Sequence, residues 1–448
     1  MGARHTCTED PLNPGRLLRS RPALWTTFVL VHGWITVVGT QLMPTESFWD
    51  VDLYRYWMWQ GLHTGTWPVL DGTWVYPAGA IVPMLLPALV STVSTEAYAL
   101  AWCALITALN AGAVLVLLRV RPLRRTPDRG TGSAHAGAGP FVVPADDPAV
   151  GAWWWLAFLV LLGPVSVGRL DAVVAPVSVA ALALAMRRPR VSAALLTAGA
   201  WIKVAPGALL LPLVLAVRRP WRDLVVPAAA VCVVVAAAVA AGGGLGNLTS
   251  FLSEQGERGL QIESVGATPW LVVGLFSTRI DRYLNSGITT WEISGPGSQA
   301  MAQALGVAMV LAVAAAAVLL WWVRRRAGRA LAAASFVVWG ALLCATVLIV
   351  FNKVGSPQFI GWLAPPVVVG LALRGPGWRT PAMLVLVIAA LTQIVFPIGY
   401  DGVLGGAPVV TAVLATRNVL LVALLVLTTR RLLALPPTDT PDTPTRLP

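Results

Sequence analysis

Apolar runs recur from one end of this sequence to the other, separated by short arginine-bearing breaks, and that repetition constrains the fold more than any other feature. The runs lie near 24–43, 76–93, 97–118, 151–167, 171–186, 191–204, 206–217, 223–241, 302–323, 330–351, 357–373, 382–398 and 408–429. A bilayer's hydrocarbon core, about 30 Å thick, takes roughly 17–25 apolar residues per helical crossing. Without water inside it, the backbone must satisfy its own hydrogen bonds, and this many long runs do so as helices. The chain is therefore read as all-α, a polytopic transmembrane helical bundle with about twelve crossings. Composition agrees, with 57% hydrophobic and 12% charged residues, about half the charged share of a soluble domain. Collagen-like, disordered and disulfide-scaffold classes are excluded. The four cysteines include Cys103, Cys232 and Cys344 inside apolar runs, and none has the spacing of a metal site.

The net charge of +12 sorts by position. Twenty-four of the 32 basic residues fall on one set of breaks, among them Arg119, Arg187, Arg218, Arg324, Arg374 and Arg430. Basic residues gather on cytoplasmic loops, so these breaks and both termini are expected in the cytoplasm. The charge then marks orientation, and no nucleic-acid partner is implied. Residues 1–23 read as a cytoplasmic tail, 24–434 as a single transmembrane domain with outer loops 44–75 and 242–301, and 435–448 as a disordered cytoplasmic tail. The stretch 130–150 reads as a low-complexity linker.

Two places break the regular pattern. Residues 76–118 hold two apolar runs where the alternation of sides allows an odd number of crossings, so a broken or re-entrant segment is expected near 76–93. Non-helical backbone at membrane depth is tolerated where protein or a wet cavity covers it. The runs 191–204 and 206–217 are each near 20 Å long at 1.5 Å per residue. They read as a short hairpin that leaves a depression on the outer side.

Candidate chemistry lies on that outer side. Loop 44–75 carries five tryptophans and the pair Asp50/Asp52. An interfacial aromatic belt explains the tryptophans, while indole rings beside carboxylates equally suit a sugar. The two lysines, Lys203 and Lys353, lie near the outer ends of apolar runs. They read either as snorkelling side chains or as cations for a phosphate. Arg417, well inside its run, pairs with a buried acid or a carbonyl, or serves the same anion. Arg258 stands in the polar segment SEQGERGLQIESVGATPW, an ordinary loop or a binding loop. Asp50-Val51-Asp52 matches a metal-binding pattern only formally, and no metal is expected.

The string SFWDVDLYRYW followed by TWVYPAGAIVPMLLPAL resembles the first outer loop and next helix of glycosyltransferase family 87, in the GT-C superfamily. The matching positions are Asp52-Leu53, Tyr56, Gly61 or Gly65, and Tyr76-Pro77, with Ala78 where the family has a second proline. GRLDAVVAP (168–176) falls where the family often has a Gly-Gln turn, with Arg169 in place of Gln. AWIKVAPG matches its Ala-x-x-Lys-x-x-Pro segment. The resemblance spans most of 24–240 and, more loosely, the later helices.

That resemblance implies an inverting transfer of a sugar, mannose first and a pentose as the alternative, from a polyprenyl-phosphate donor to a lipid or glycan acceptor. The donor is a substrate, and no cofactor is implied. The transfer would take place on the extracytoplasmic face of the cell membrane. Asp52 occupies the family's catalytic position as general base. Lys203, Arg258, Lys353 and Arg417 are candidates to stabilise the leaving phosphate, and Tyr56, Tyr76, Asp50 and Asp171 are candidates to contact substrate. Asp50 is the rival base, since residues two apart cannot both face one site. A transporter or flippase for lipid-linked sugars, or a non-catalytic envelope protein, would fit the same hydropathy; no internal repeat favours transport.

Overall fold

The computed structural model describes residues 20–120, 149–256, 258–286, 290–327, 333–375 and 377–435. The tails, most of the 130–150 linker and Cys7 lie outside them. The chain is helical nearly throughout. In order run α1 (Arg21–Leu42), α2 (Pro44–Thr64), α3 (Ile81–Ala88), α4 (Thr95–Leu117), α5 (Val150–Leu162), α6 (Asp171–Leu184), α7 (Pro189–Ile202), α8 (Ala205–Ala216) and α9 (Trp221–Ala241). There follow α10 (Ser250–Gly256), α11 (Thr268–Val273), an antiparallel hairpin of β1 (Asp281–Asn285) and β2 (Thr290–Ser294), then α12 (Ser298–Ala327) and α13 (Ala333–Val350). The chain closes with α14 (Pro357–Ala372), α15 (Arg379–Ile398), α16 (Tyr400–Leu404) and α17 (Pro408–Leu433).

Among the described residues seven helices are long and apolar enough to cross a membrane: α1, α4, α9, α12, α13, α15 and α17. Five further apolar helices are shorter. The multi-pass helical bundle expected from the sequence is what the chain forms. Burial separates its members. Within α13, 83% of the membrane-length window is covered by protein, against 11% in α9 and in α12. α13 packs on α8, α12, α14 and α17 and is the central post; α9 and α12 offer most of their apolar surface outward, as lipid-facing helices do.

Local chemistry explains the helix ends. Ser20 and Ser94 accept from the amides of Ala23 and Ala97 and cap α1 and α4. Pro44 opens α2 at a position where no amide partner is needed. Gly65, at φ +77°, closes it in the left-handed conformation that a side chain would resist.

Two expectations change. Residues 44–64, expected within a loop, are a helix, so their side chains divide by helical angle. The other outer loop, 242–301, contains two helices and the hairpin. The broken segment near 76–93 is real: a single 3-10 turn (Ala78–Ala80) and α3, whose eight residues span about 12 Å. The short hairpin of α7 and α8 is real as well. Its break falls on Lys203, extended at φ −150° and ψ 130°.

Two apolar cores follow. The larger unites α1 to α8 with α13, α14 and α15, around Trp102, Trp155, Phe158 and Phe336. The smaller gathers Leu260, Ile262, Leu271, Ile293, Leu305, Val395 and Leu414 beneath the hairpin. The candidate site lies where chain ends of the larger core meet the 258–264 segment of the smaller.

Candidate active site

Five charged side chains converge from four parts of the chain. Asp50 projects from α2 and its Oδ2 lies 3.2 Å from Arg169 Nε. Arg169 precedes α6; its guanidinium also donates to the carbonyls of Ser47 (2.7 Å) and Gly168 (3.0 Å), and it lies 5.7 Å over the Phe396 ring. Asp171 opens α6, where the helix N-terminus favours a negative charge. Its Oδ1 accepts from Trp362 Nε1 at 2.6 Å and its Oδ2 lies 3.4 Å from Lys203 Nζ. The Lys203 ammonium stands 5.0 Å over the Tyr76 ring and 5.7 Å over that of Phe359, within cation–π reach of both. Arg258 completes the group, coupled electrostatically to Lys203, Glu292, Glu254 and Asp50. Burial lowers its guanidinium pKa from the ordinary value. Its Nε is buried with no hydrogen-bond partner among the described residues.

Aromatic rings wall the cluster. Trp57, Trp74 and Tyr76 meet edge to face at 5.4, 5.5 and 6.1 Å, and Tyr54 meets Tyr76 at 6.3 Å. The Tyr54 hydroxyl accepts from the Leu170 amide at 3.3 Å, tying α2 to the turn that carries Arg169 and Asp171. Burial raises the phenol of Tyr76, which stays neutral near pH 7. Gly79 brings the 3-10 turn after Tyr76 against the Trp201 carbonyl, where a Cβ would stand 2.8 Å away. That close approach sets Tyr76 beside Lys203.

The loop tryptophans thus split between the two readings the sequence left open. Trp57 and Trp74 belong to the wall. Trp49 is exposed, Trp59 stacks between Tyr56 and His63, and Trp67 lies over Gly61.

Asp52 stands apart from the cluster. On an α-helix, positions two residues apart are turned by about 200°, and the two acids take opposite sides of α2. Asp52 Oδ1 accepts from Arg55 Nε at 2.7 Å and from Thr95 Oγ1 at 2.8 Å, at the start of α4. Burial pushes its carboxyl up, but these bonds and the Arg55 charge outweigh it and hold the group below its ordinary value. Because they diverge, Asp50 and Asp52 do not converge on one ion. Tyr56, also expected to contact substrate, is exposed and stacks on Trp59.

Two other candidate cations are engaged in structure. Arg417 donates to Glu263 Oε2 at 2.8 Å, to the Glu263 carbonyl at 2.5 Å and to Asn418 Oδ1. This is the buried-acid alternative. Lys353 Nζ donates to the Gly256 carbonyl at 2.8 Å, two residues before Arg258, and so braces that segment. Sequence reasoning missed Arg169, which it noted only as a departure from a Gln, as well as Tyr54 and Trp362.

A family model, glycosyltransferase family 87, matches residues 74–350, more than half of the chain. The chain belongs to glycosyltransferase family 87. It is a multi-pass membrane glycosyltransferase. The matched residues include Tyr76, Asp171, Lys203 and Arg258 and exclude Asp50, Asp52 and Arg417. No curated protein and no solved structure matches the chain. Chemically, the cluster offers cations that can pair with an anion, carboxylates that can accept from hydroxyls and flat apolar ring faces.

Proposed function

We propose that this family 87 enzyme transfers a sugar, mannose in the first instance, from a polyprenyl-phosphate donor to a hydroxyl of a lipid or glycan acceptor, with inversion at the anomeric carbon. The observation that carries the reading is the convergence of Arg169, Lys203 and Arg258 with two carboxylates against an aromatic wall, with the Arg258 Nε lacking a partner among the described residues. An unpaired buried guanidinium nitrogen is costly. A phosphate oxygen satisfies it with a charge-assisted bond. Lys203 and Arg258 hold the leaving phosphate, whose growing negative charge needs cations more than a proton.

The attacking hydroxyl needs a base within about 3 Å. Asp50 takes that part because it faces the cluster. Asp171, fixed by Trp362, orients a sugar hydroxyl. Asp52 is the second reading, favoured by its family position and by the hydrogen bonds that keep it ionised. In either case the base is a residue of α2.

Helix alternation supports a site on the outer side of the membrane. Arg119, Arg187 and Arg218 follow the ends of α4, α6 and α8, and Arg324 and Arg430 lie in the last turns of α12 and α17, whereas the cluster gathers at opposite helix ends, such as the start of α6 and the end of α7. With arginines inside, the site faces outward and the termini lie in the cytoplasm.

The test is transfer from radiolabelled polyprenyl-phosphate mannose by purified protein in lipid nanodiscs. Lys203→Ala is expected to lose at least ~100-fold in rate, the scale of one lost transition-state cation, while remaining folded. Undiminished transfer would overturn the phosphate assignment. Movement of the donor across vesicles without covalent transfer would support the flippase alternative.

A further inference from the structure

The hairpin is the one pair of strands among the described residues, and it lies against the segment that carries Arg258. Leu260 and Ile262 pair with it through the backbone: the Ile293 amide donates to the Leu260 carbonyl at 2.9 Å and the Ile262 amide to the Trp291 carbonyl at 3.1 Å. Gln261 and Glu292 form an antiparallel bridge between these bonds. The segment is thus laid along β2 as a short extra strand. Its other edge is fixed too, since the Gln261 amide donates to the Lys353 carbonyl at 3.0 Å.

Glu292 stands at the centre of this arrangement. It is 1% exposed, yet no cation neutralises it by direct contact among the described residues. Its carboxylate instead accepts from the Gly259 amide (2.9 Å), the Tyr283 hydroxyl (2.9 Å), Asn285 Nδ2 (3.3 Å) and Thr290 Oγ1 (3.4 Å). Three of these donors come from the hairpin itself. The fourth is the residue next to Arg258, and Glu292 also attracts the Arg258 guanidinium electrostatically. A Cβ on Gly259 would stand 2.5 Å from Glu292 Oε2. The close approach of amide and carboxylate therefore requires glycine there. Burying an ion is expensive unless hydrogen bonds replace its water, and a carboxylate kept buried by neutral donors is worth that cost where it fixes something. What it fixes is the chain at Gly259.

We propose that Glu292 is the positioning residue for Arg258, holding the Gly259 amide so that the guanidinium stands ready for the phosphate of a lipid-linked donor. The inference rests on the phosphate-binding reading of the cluster above. Tyr283 acts with Glu292, its hydroxyl orienting the carboxylate.

The test is binding of decaprenyl phosphate to the full chain in nanodiscs, titrated by tryptophan fluorescence, in a double-mutant cycle. Arg258→Ala alone is expected to weaken binding. Glu292→Gln keeps the size of the side chain but loses its charge, and should weaken binding about tenfold in the otherwise wild-type protein and not at all in the Arg258→Ala background, the non-additivity of residues that act as one unit. Gly259→Ala, which drives the carboxylate off the amide by a different route, should behave the same way. Equal weakening by Glu292→Gln in both backgrounds would mean a general loss of folding and overturn the inference. So would unchanged binding by Glu292→Gln and Gly259→Ala while Arg258→Ala binds weakly, in which case the phosphate reading would stand. If Arg258→Ala binds as tightly as wild type, the phosphate role of Arg258 falls and the inference with it.

Discussion

Two arginines, the buried Arg417 and the half-buried Arg258, divide the charged interior of this protein into a part that is finished and a part that is waiting. Arg417 and Glu263 are each 3% exposed in their side chains, and the guanidinium is taken up by the Glu263 carboxylate, the Glu263 carbonyl and Asn418. Asn418 in turn donates to Ser264 and Thr268. A side chain at Gly355 would collide with the backbone of Glu263 and Ser264, so the chain closes tightly over the pair. Arg258, by contrast, keeps a buried Nε without a partner among the described residues, beside Lys203 and an aromatic wall. The difference teaches that burial of charge alone does not mark a functional site. Unspent hydrogen-bonding capacity beside Lys203 and an aromatic wall is what singles out Arg258 as a candidate.

The comparison breaks most visibly when its finished half is opened. Arg417→Ala leaves Glu263 buried and unpaired, and should cost about 3–5 kcal/mol of stability, the usual penalty for half a buried pair. Thermal unfolding of the purified protein measures it. Replacing both partners, Arg417→Leu with Glu263→Leu, should recover most of that loss. A site role for Arg417 predicts instead that the double variant is stable but inactive.

A smaller effect is expected on the waiting half. Trp362→Phe keeps a ring but removes the 2.6 Å bond to Asp171 Oδ1. One hydrogen bond to a charged group is worth about 1.5–3 kcal/mol, so melting should fall, and transfer, which needs Asp171 held in place, should fall roughly tenfold or more. Loss of stability without loss of turnover would move Asp171 into the structural class.

The smallest effect concerns Asp52. Its carboxyl sits below the ordinary value of 3.8 because Arg55 and Thr95 outweigh burial. A lowered carboxylate pKa contributes stability that is present above the ordinary value and lost as pH falls through the folded-state value. Asp52→Asn should therefore lower stability slightly at neutral pH and not at all in strong acid. As the side chain is 40% exposed, solvent screens the pair and the change stays small. The pH–rate profile of transfer near neutrality should be the same with and without this substitution.

Much of this arrangement is legible before any coordinates. Hydropathy alone yields the bundle, because the bilayer allows so few alternatives. Lys203 is legible as one of only two lysines, set beside a Pro-Gly break. The rule that Asp50 and Asp52 face apart is legible too, but not which one faces inward, since that depends on how α2 is rotated against α6. Arg169 is hidden for a related reason: its role is made by the Asp50 carboxylate and the Ser47 carbonyl, far away in sequence. The hairpin left a signal that a membrane-minded reading passes over. Thr290 to Ser294 alternates polar and apolar residues after an Asn-Ser-Gly, a turn-strand pattern. Arg417 looked functional because an ionisable group within a span is a functional candidate by default; its partner Glu263 lies outside any apolar run and only tertiary structure brings the two together.

The most direct test compares the two acids of α2 under identical conditions. Single-turnover transfer from polyprenyl-phosphate mannose is measured for Asp50→Asn and Asp52→Asn, with melting temperature recorded for each. The account predicts that Asp50→Asn abolishes transfer while the protein stays folded, and that Asp52→Asn transfers within a few-fold of wild type. Transfer retained by Asp50→Asn and lost by Asp52→Asn would contradict it, and would turn the working face of α2 away from the Lys203 cluster.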